Sequence, residues 1–250
     1  MIAHLLVGAL AFNADHRAAP LMKLRGGVSA EQAQSTIGYI TLAQAAVGHV
    51  FTKESMEMYE FKGEIEAPTL AFAKFNYALQ IAHAVNLLKP EYGITALATA
   101  ILVSCSEMSG TLKAPRTPAV AWAATLFALD HFKDSVPAWL LPGMLLASGV
   151  HGIFFIDQAM DMYKVGVPLS KQAKTMAKFV NSGFVALGTF LLGPTLGLSS
   201  AQSFGAYALV FTALIVKMCT LDGGAELFNV AGGYAWGAIF GGAGVAALMA

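Results

Sequence analysis

Met56-Glu57-Met58-Tyr59 opens a stretch that runs through Ala73-Lys74-Phe75 to Leu87-Leu88-Lys89-Pro90, and the same order of residues returns 104 positions later. There the chain reads Met160-Asp161-Met162-Tyr163, Ala177-Lys178-Phe179 and Leu191-Leu192-Gly193-Pro194. At that offset Gly48 falls on Gly152, Phe51 on Phe155 and Gly93 on Gly197; after a shift to 114, Cys105 meets Cys219, Gly110 meets Gly224 and Ala121-Trp122 meets Ala235-Trp236. Matches that keep their order over so long a span point to a duplicated unit, 28–132 and 133–250, with an insertion after Pro194.

Composition says where such a unit lives. Hydrophobic residues make up 56% of the 250, charged residues 12%, and mean hydropathy is +0.62. A soluble domain carries about 25% charged residues, so half the usual solvating charge is missing. The 25 glycines suit helices that pack closely in lipid. The expected fold class is therefore all-α integral membrane. Net charge is zero with no basic cluster, which removes the electrostatic footprint of a nucleic-acid partner. Cys105 and Cys219 hold equivalent places in apolar segments and read as packing residues, with neither a disulfide nor a redox role.

Each unit contains four apolar segments, near 33–52, 68–88, 93–109 and 117–131, then 136–157, 172–192, 197–218 and 227–249. Pro68, Pro90, Pro118, Pro137, Pro168 and Pro194 fall at their edges, where helices start or stop. If all eight cross, ten cations collect on one side: Lys53, Lys62, Lys74, Lys113, Arg116, Lys164, Lys171, Lys174, Lys178 and Lys217. Beyond residue 27 the other side has only Lys89 and Lys133. That bias sets the orientation. Four crossings per unit give two tandem, parallel four-helix repeats related about the membrane normal, about eight transmembrane helices in all.

The N-terminus, 1–27, reads as a targeting segment. Met1 to Ala11 is too short to span a bilayer core, which needs about 20 residues, and has the shape of a signal-peptide apolar region. Ala9-Leu10-Ala11-Phe12, followed by a stretch with Arg17, Lys23 and Arg25 against Asp15, resembles the plastid-targeting peptides of algae with red-derived secondary plastids. The resemblance implies a plastid membrane, thylakoid or envelope. Each repeat, on Met56–Tyr59, Ala73–Phe75, Gly93 and their copies, loosely resembles DoxX-like four-helix membrane modules, which implies a four-helix bundle.

Candidate chemistry centres on Asn76, Gln80, His83 and Asn86 in the second segment, which fall within a sector of about 120° on one helix face. Amides and an imidazole at membrane depth are costly unless they meet each other, another helix or water. They read either as the lining of a substrate path or as interhelical hydrogen bonds. The second unit has Val180, Phe184, Leu187 and Phe190 at those places, so the stripe is not needed to build the fold, and the lining is favoured. His151, Asp157 and Asp161 form a second group, a candidate relay or an ordinary solvated helix end beside Lys164. His49 and His131 lie near segment ends. No metal site is expected. There is no P-loop, dinucleotide fingerprint, nucleophile elbow or metalloprotease motif, and an enzyme is disfavoured. No Arg lies in any apolar segment, so the Glu/Arg helix pair of the major light-harvesting family is missing. The functional expectation is a small-solute carrier or permeation protein without a cofactor. The alternative is a photosynthetic accessory or scaffold subunit, with chlorophyll or carotenoid as its ligand and a membrane protein complex as its setting. The lipid bilayer is a partner under either.

Overall fold

The computed structural model describes residues 29–249; the targeting segment expected at 1–27 lies outside them. Helices joined by short loops make up the described residues, with no strand among them. In order they form α1 (Ala30–Val50), α2 (Thr52–Glu57), α3 (Ala67–Leu88), α4 (Gly93–Leu112), α5 (Thr117–His131), α6 (Leu140–Phe154), α7 (Ile156–Met162), α8 (Lys171–Leu192), α9 (Ser200–Thr220), α10 (Gly224–Leu227) and α11 (Ala231–Met249). Short 3-10 turns at Pro90–Tyr92 and Gly193–Leu196 follow α3 and α8.

Local sequence sets most of the boundaries. Ser29 with Gln32, and Ser199 with Gln202, close capping boxes that satisfy the first amides of α1 and α9. Ser170 caps α8 with its hydroxyl, and Pro68 occupies the first turn of α3, where its missing N–H is no loss. Pro90 ends α3 by barring helix at Lys89.

Four stretches are long and apolar enough to cross a membrane: Pro90–Leu112, Lys171–Leu196, Ser200–Thr220 and Ala231–Met249. A fifth arises if α6 and α7, bent by 116° at Phe155, count as one span. The eight expected segments are all helical, but the other three fall short of that description. The 15 residues of α5 rise about 22 Å, less than a hydrocarbon core of about 30 Å. Glutamines in α1, and the lysine, amides and histidine of α3, lower the mean hydropathy of those two. A composition of this kind is compatible with an integral membrane protein.

The helices pack as two rings that share an edge. Helices α3 and α8 cross at the centre, and the crossing is intimate at Leu79 and Gly183: a side-chain carbon on Gly183 would meet Leu79 Cδ2 at 2.6 Å. One ring runs α3, α1, α11, α9, α8 and back to α3, each helix packed on the next. The other runs α3, α4, α5, then α6, α8 and back to α3, but α5 and α6 make at most slight contact, so that ring is not firmly closed.

The ten cations expected on one side belong to loops and helix ends that the structure ties together at one end of the bundle. Lys74 pairs with Glu107 at 2.8 Å, Lys174 with Asp157 at 2.7 Å, and Lys171 with Glu226. Backbone bonds from Lys62 N to Leu227 O and from Gly166 N to Leu112 O, at 2.8 and 2.9 Å, join the loops of the two halves. Asp222 is the hub, accepting from Lys217 at 2.6 Å and Lys178 at 3.0 Å, with its side chain 10% exposed. Burial works to raise its carboxyl, but hydrogen bonds and charge from the two lysines outweigh it and hold the group below the ordinary carboxylate value.

Candidate functional site: an uncharged cavity inside the closed ring

The closed ring surrounds a cavity of about 100 Å³ lined by α1, α3, α8, α9 and α11. Asn76, Gln80 and His83 all face it from α3, so three of the four polar residues on that helix converge as the sequence suggested. Counted from Ala67 at the basic end, they lie about 14, 20 and 24 Å along the helix axis. Asn86 takes no part. Its amide donates to Ala82 O at 2.8 Å and to Gly93 O at 3.1 Å, tying α3 to the start of α4, where only a glycine leaves room for it.

His83 is 2% exposed. Its Nδ1 shares a 3.1 Å hydrogen bond with the Tyr207 hydroxyl, and which atom donates depends on the tautomer. The Tyr207 and Phe211 rings lie 5.7 and 6.3 Å from the imidazole. Among the described residues, His83 Nε2 has no hydrogen-bond partner, nor does the buried Thr41 Oγ1 on the neighbouring α1. Buried polar atoms are rarely left so. The half-buried side chains of Gln44, Asn76 and Gln80 also make no hydrogen bond to another described residue. Five residues therefore bring polar groups to one cavity, and two of their atoms are buried without a partner.

The other walls are aromatic. Tyr77, Phe179, Trp236 and Phe240 line the flanks, and Tyr59, Phe61 and Phe228 stand where the cavity nears the basic end, with Phe61 and Phe228 ring centroids 5.2 Å apart. Burial pushes the Tyr59 phenol above its ordinary value, against a smaller opposing effect of Trp236, so it stays a neutral hydroxyl. No lining residue carries a formal charge apart from His83, should it take up a proton. An uncharged site with amide, hydroxyl and imidazole groups on one side and aromatic faces on the others suits a neutral ligand with a polar edge. Thr41 and Gln44 were not singled out from the sequence, although two polar residues three apart in an apolar segment share a helix face.

The second group is not brought together. The 116° bend at Phe155 turns α7 away from α6, leaving His151 stacked on Phe155 at 5.8 Å. The Asp157 carboxylate pairs with Lys174 at the surface, and Asp161 is exposed. His49 Nδ1 lies 3.3 Å from the Lys74 carbonyl, and His131 sits edge-on to Phe132. Among the described residues no group of three or more His, Cys, Asp or Glu side chains could hold a metal ion.

What fold and site define, then, is a helical protein with four helices long and apolar enough to cross a membrane and a buried, uncharged cavity between its halves. Comparison of the chain with protein-family models, curated proteins and solved structures finds no match.

Proposed function

We propose that this is an integral membrane protein of two tandem, parallel four-helix repeats that binds and passes a small neutral solute with a hydrogen-bonding edge and an apolar or aromatic body. The observation that carries the reading is the convergence of Asn76, Gln80 and His83 with Thr41 and Gln44 on one cavity, with Thr41 Oγ1 and His83 Nε2 buried there without a partner. A scaffold role would put that stripe in a dry helix interface, with each group paired.

The tandem reading has its own support in local geometry. Helix breaks at the equivalent Phe51 and Phe155 share one backbone conformation, φ −114°, ψ 53° and φ −125°, ψ 47°. Glu60 and Lys164, also equivalent, both adopt left-handed φ, 51° and 53°. Gathering the ten cations at one end fits a bundle whose basic end faces the cytosol, or the stroma if residues 1–27 direct the chain to a plastid membrane. Phe61 and Phe228 would then form the gate on that side.

The test starts with the protein purified in mild detergent. Its absorption spectrum should be that of a colourless protein, whereas chlorophyll or carotenoid at fixed stoichiometry would overturn the carrier reading in favour of an accessory subunit. Benzamide, neutral and of the right size, is the first probe, read by the fluorescence of Trp236 in the cavity wall. Saturable binding should fall at least tenfold in Asn76→Val/Gln80→Phe/His83→Leu, which copies the second half of the chain. Binding unchanged in that variant would refute the assignment.

A further inference from the structure

The chain contains a second cavity, of about 120 Å³, inside the open ring. Most positions of its lining are sequence equivalents of positions that line the first. Tyr59, Ile215 and Trp236 line the first cavity, and their sequence equivalents Tyr163, Ile101 and Trp122 line the second. The two are therefore counterparts about the α3–α8 crossing, where Leu79 meets its own equivalent, Gly183.

They differ in chemistry. Where the first has Asn76 and Gln80, the second has Val180 and Phe184. Of the polar groups that remain, Asn181 donates to Ala177 O at 2.8 Å and Ser109 to Ser106 O at 2.9 Å, which leaves the Ser148 and Tyr163 hydroxyls and the Trp122 N–H on otherwise apolar walls. They also differ in how their walls close. Helices α1 and α11 pack on each other beside the first cavity, whereas the corresponding pair, α5 and α6, makes at most slight contact and leaves a gap beside the second. In a bilayer that gap faces hydrocarbon.

We propose that the second cavity is a lipid site, taking a hydrocarbon acyl chain from the bilayer through the gap between α5 and α6. An acyl chain asks for no hydrogen bonds and gains from apolar walls, which is what the substitutions at Val180 and Phe184 supply. The proposal rests on the membrane reading but not on the ligand of the first cavity.

The three tryptophans make it testable, because Trp122 lines the second cavity, Trp236 lines the first, and Trp139 is 56% exposed at the start of α6. Single-tryptophan proteins, the other two replaced by Phe, are reconstituted into phosphatidylcholine vesicles with and without bromine on one acyl chain, which quenches indole on contact. Trp122 emission should fall at least twofold and Trp236 emission much less. Ser148→Phe, which fills the second cavity from half-exposed α6, should restore at least half of the lost Trp122 emission, and Ala119→Phe serves as an independent plug. Trp122 left bright while Trp139 is quenched would overturn the proposal. So would quenching that neither plug relieves, since the indole would then see only bulk lipid. Trp139 also left bright would overturn the membrane reading, and the proposal with it.

Discussion

Gly48→Ala probes how the first cavity is held open. Gly48 lies in α1 against the Tyr77 ring of α3, and a side-chain carbon there would stand 2.4 Å from Tyr77 Cε1 and 2.6 Å from both Cδ1 and Cζ. Ordinary contact begins near 3.4 Å, so the ring must retreat by about 1 Å or α1 must lift away. Tyr77 is 5% exposed, and an aromatic ring cannot yield by rotating a terminal methyl. Overpacking of this kind costs about 1–3 kcal/mol, while alanine in place of a mid-helix glycine returns about 0.5–1 kcal/mol. The expected net loss is about 0–2.5 kcal/mol. Gly242→Ala in α11, where nothing lies within 4 Å, keeps the helix gain without the clash and should stabilise. Unfolding in mixed detergent micelles, followed by far-ultraviolet circular dichroism, measures both. Tyr77→Leu in the Gly48→Ala background should recover part of the loss, and the displaced ring should weaken benzamide binding in the single variant. Gly48→Ala as stable as Gly242→Ala would refute the close packing of α1 on α3.

The remaining predictions concern the basic end and the turn between α3 and α4. Because the Asp222 carboxyl is held below its ordinary value of 3.8, its stabilisation is complete above about pH 4 and is lost as pH falls through the lower, folded value. Asp222→Asn leaves two partly buried ammonium groups without their partner and should cost about 1–3 kcal/mol at neutral pH. The gap between it and the parent in thermal unfolding should narrow as pH falls below the ordinary carboxylate value, and a gap that did not narrow in acid would contradict the hub. Glu226→Gln, at an exposed ion pair, should leave unfolding unchanged. Asn86→Ala strips the buried Gly93 carbonyl of its donor and should cost about 1–3 kcal/mol without altering affinity for benzamide. Weakened binding with unchanged stability would place Asn86 in the site after all.

What could be read from residues alone is what depends on near neighbours in sequence. Apolar runs, the capping serines with their glutamines, and proline at segment edges are local signals, and the eight segments marked by them are all helical. The reading of a repeat rests on identities that keep their spacing, such as Met56-Glu57-Met58-Tyr59 and Met160-Asp161-Met162-Tyr163. Helical periodicity put Asn76, Gln80, His83 and Asn86 on one face, but it has no knowledge of the neighbouring helices. Helix α4 comes close enough at Gly93 to claim Asn86, while Tyr207 of α9 claims one nitrogen of His83 and leaves the other unpartnered. The bend at Phe155 that parts His151 from Asp157 was equally hidden, since neither proline nor glycine marks it. Only the tertiary structure could show that α1 closes one ring of helices while α5 and α6 leave the other open. Which helices meet is fixed by side chains more than a hundred residues apart filling one another's space, as Leu79 fills the gap at Gly183, and no local pattern encodes that.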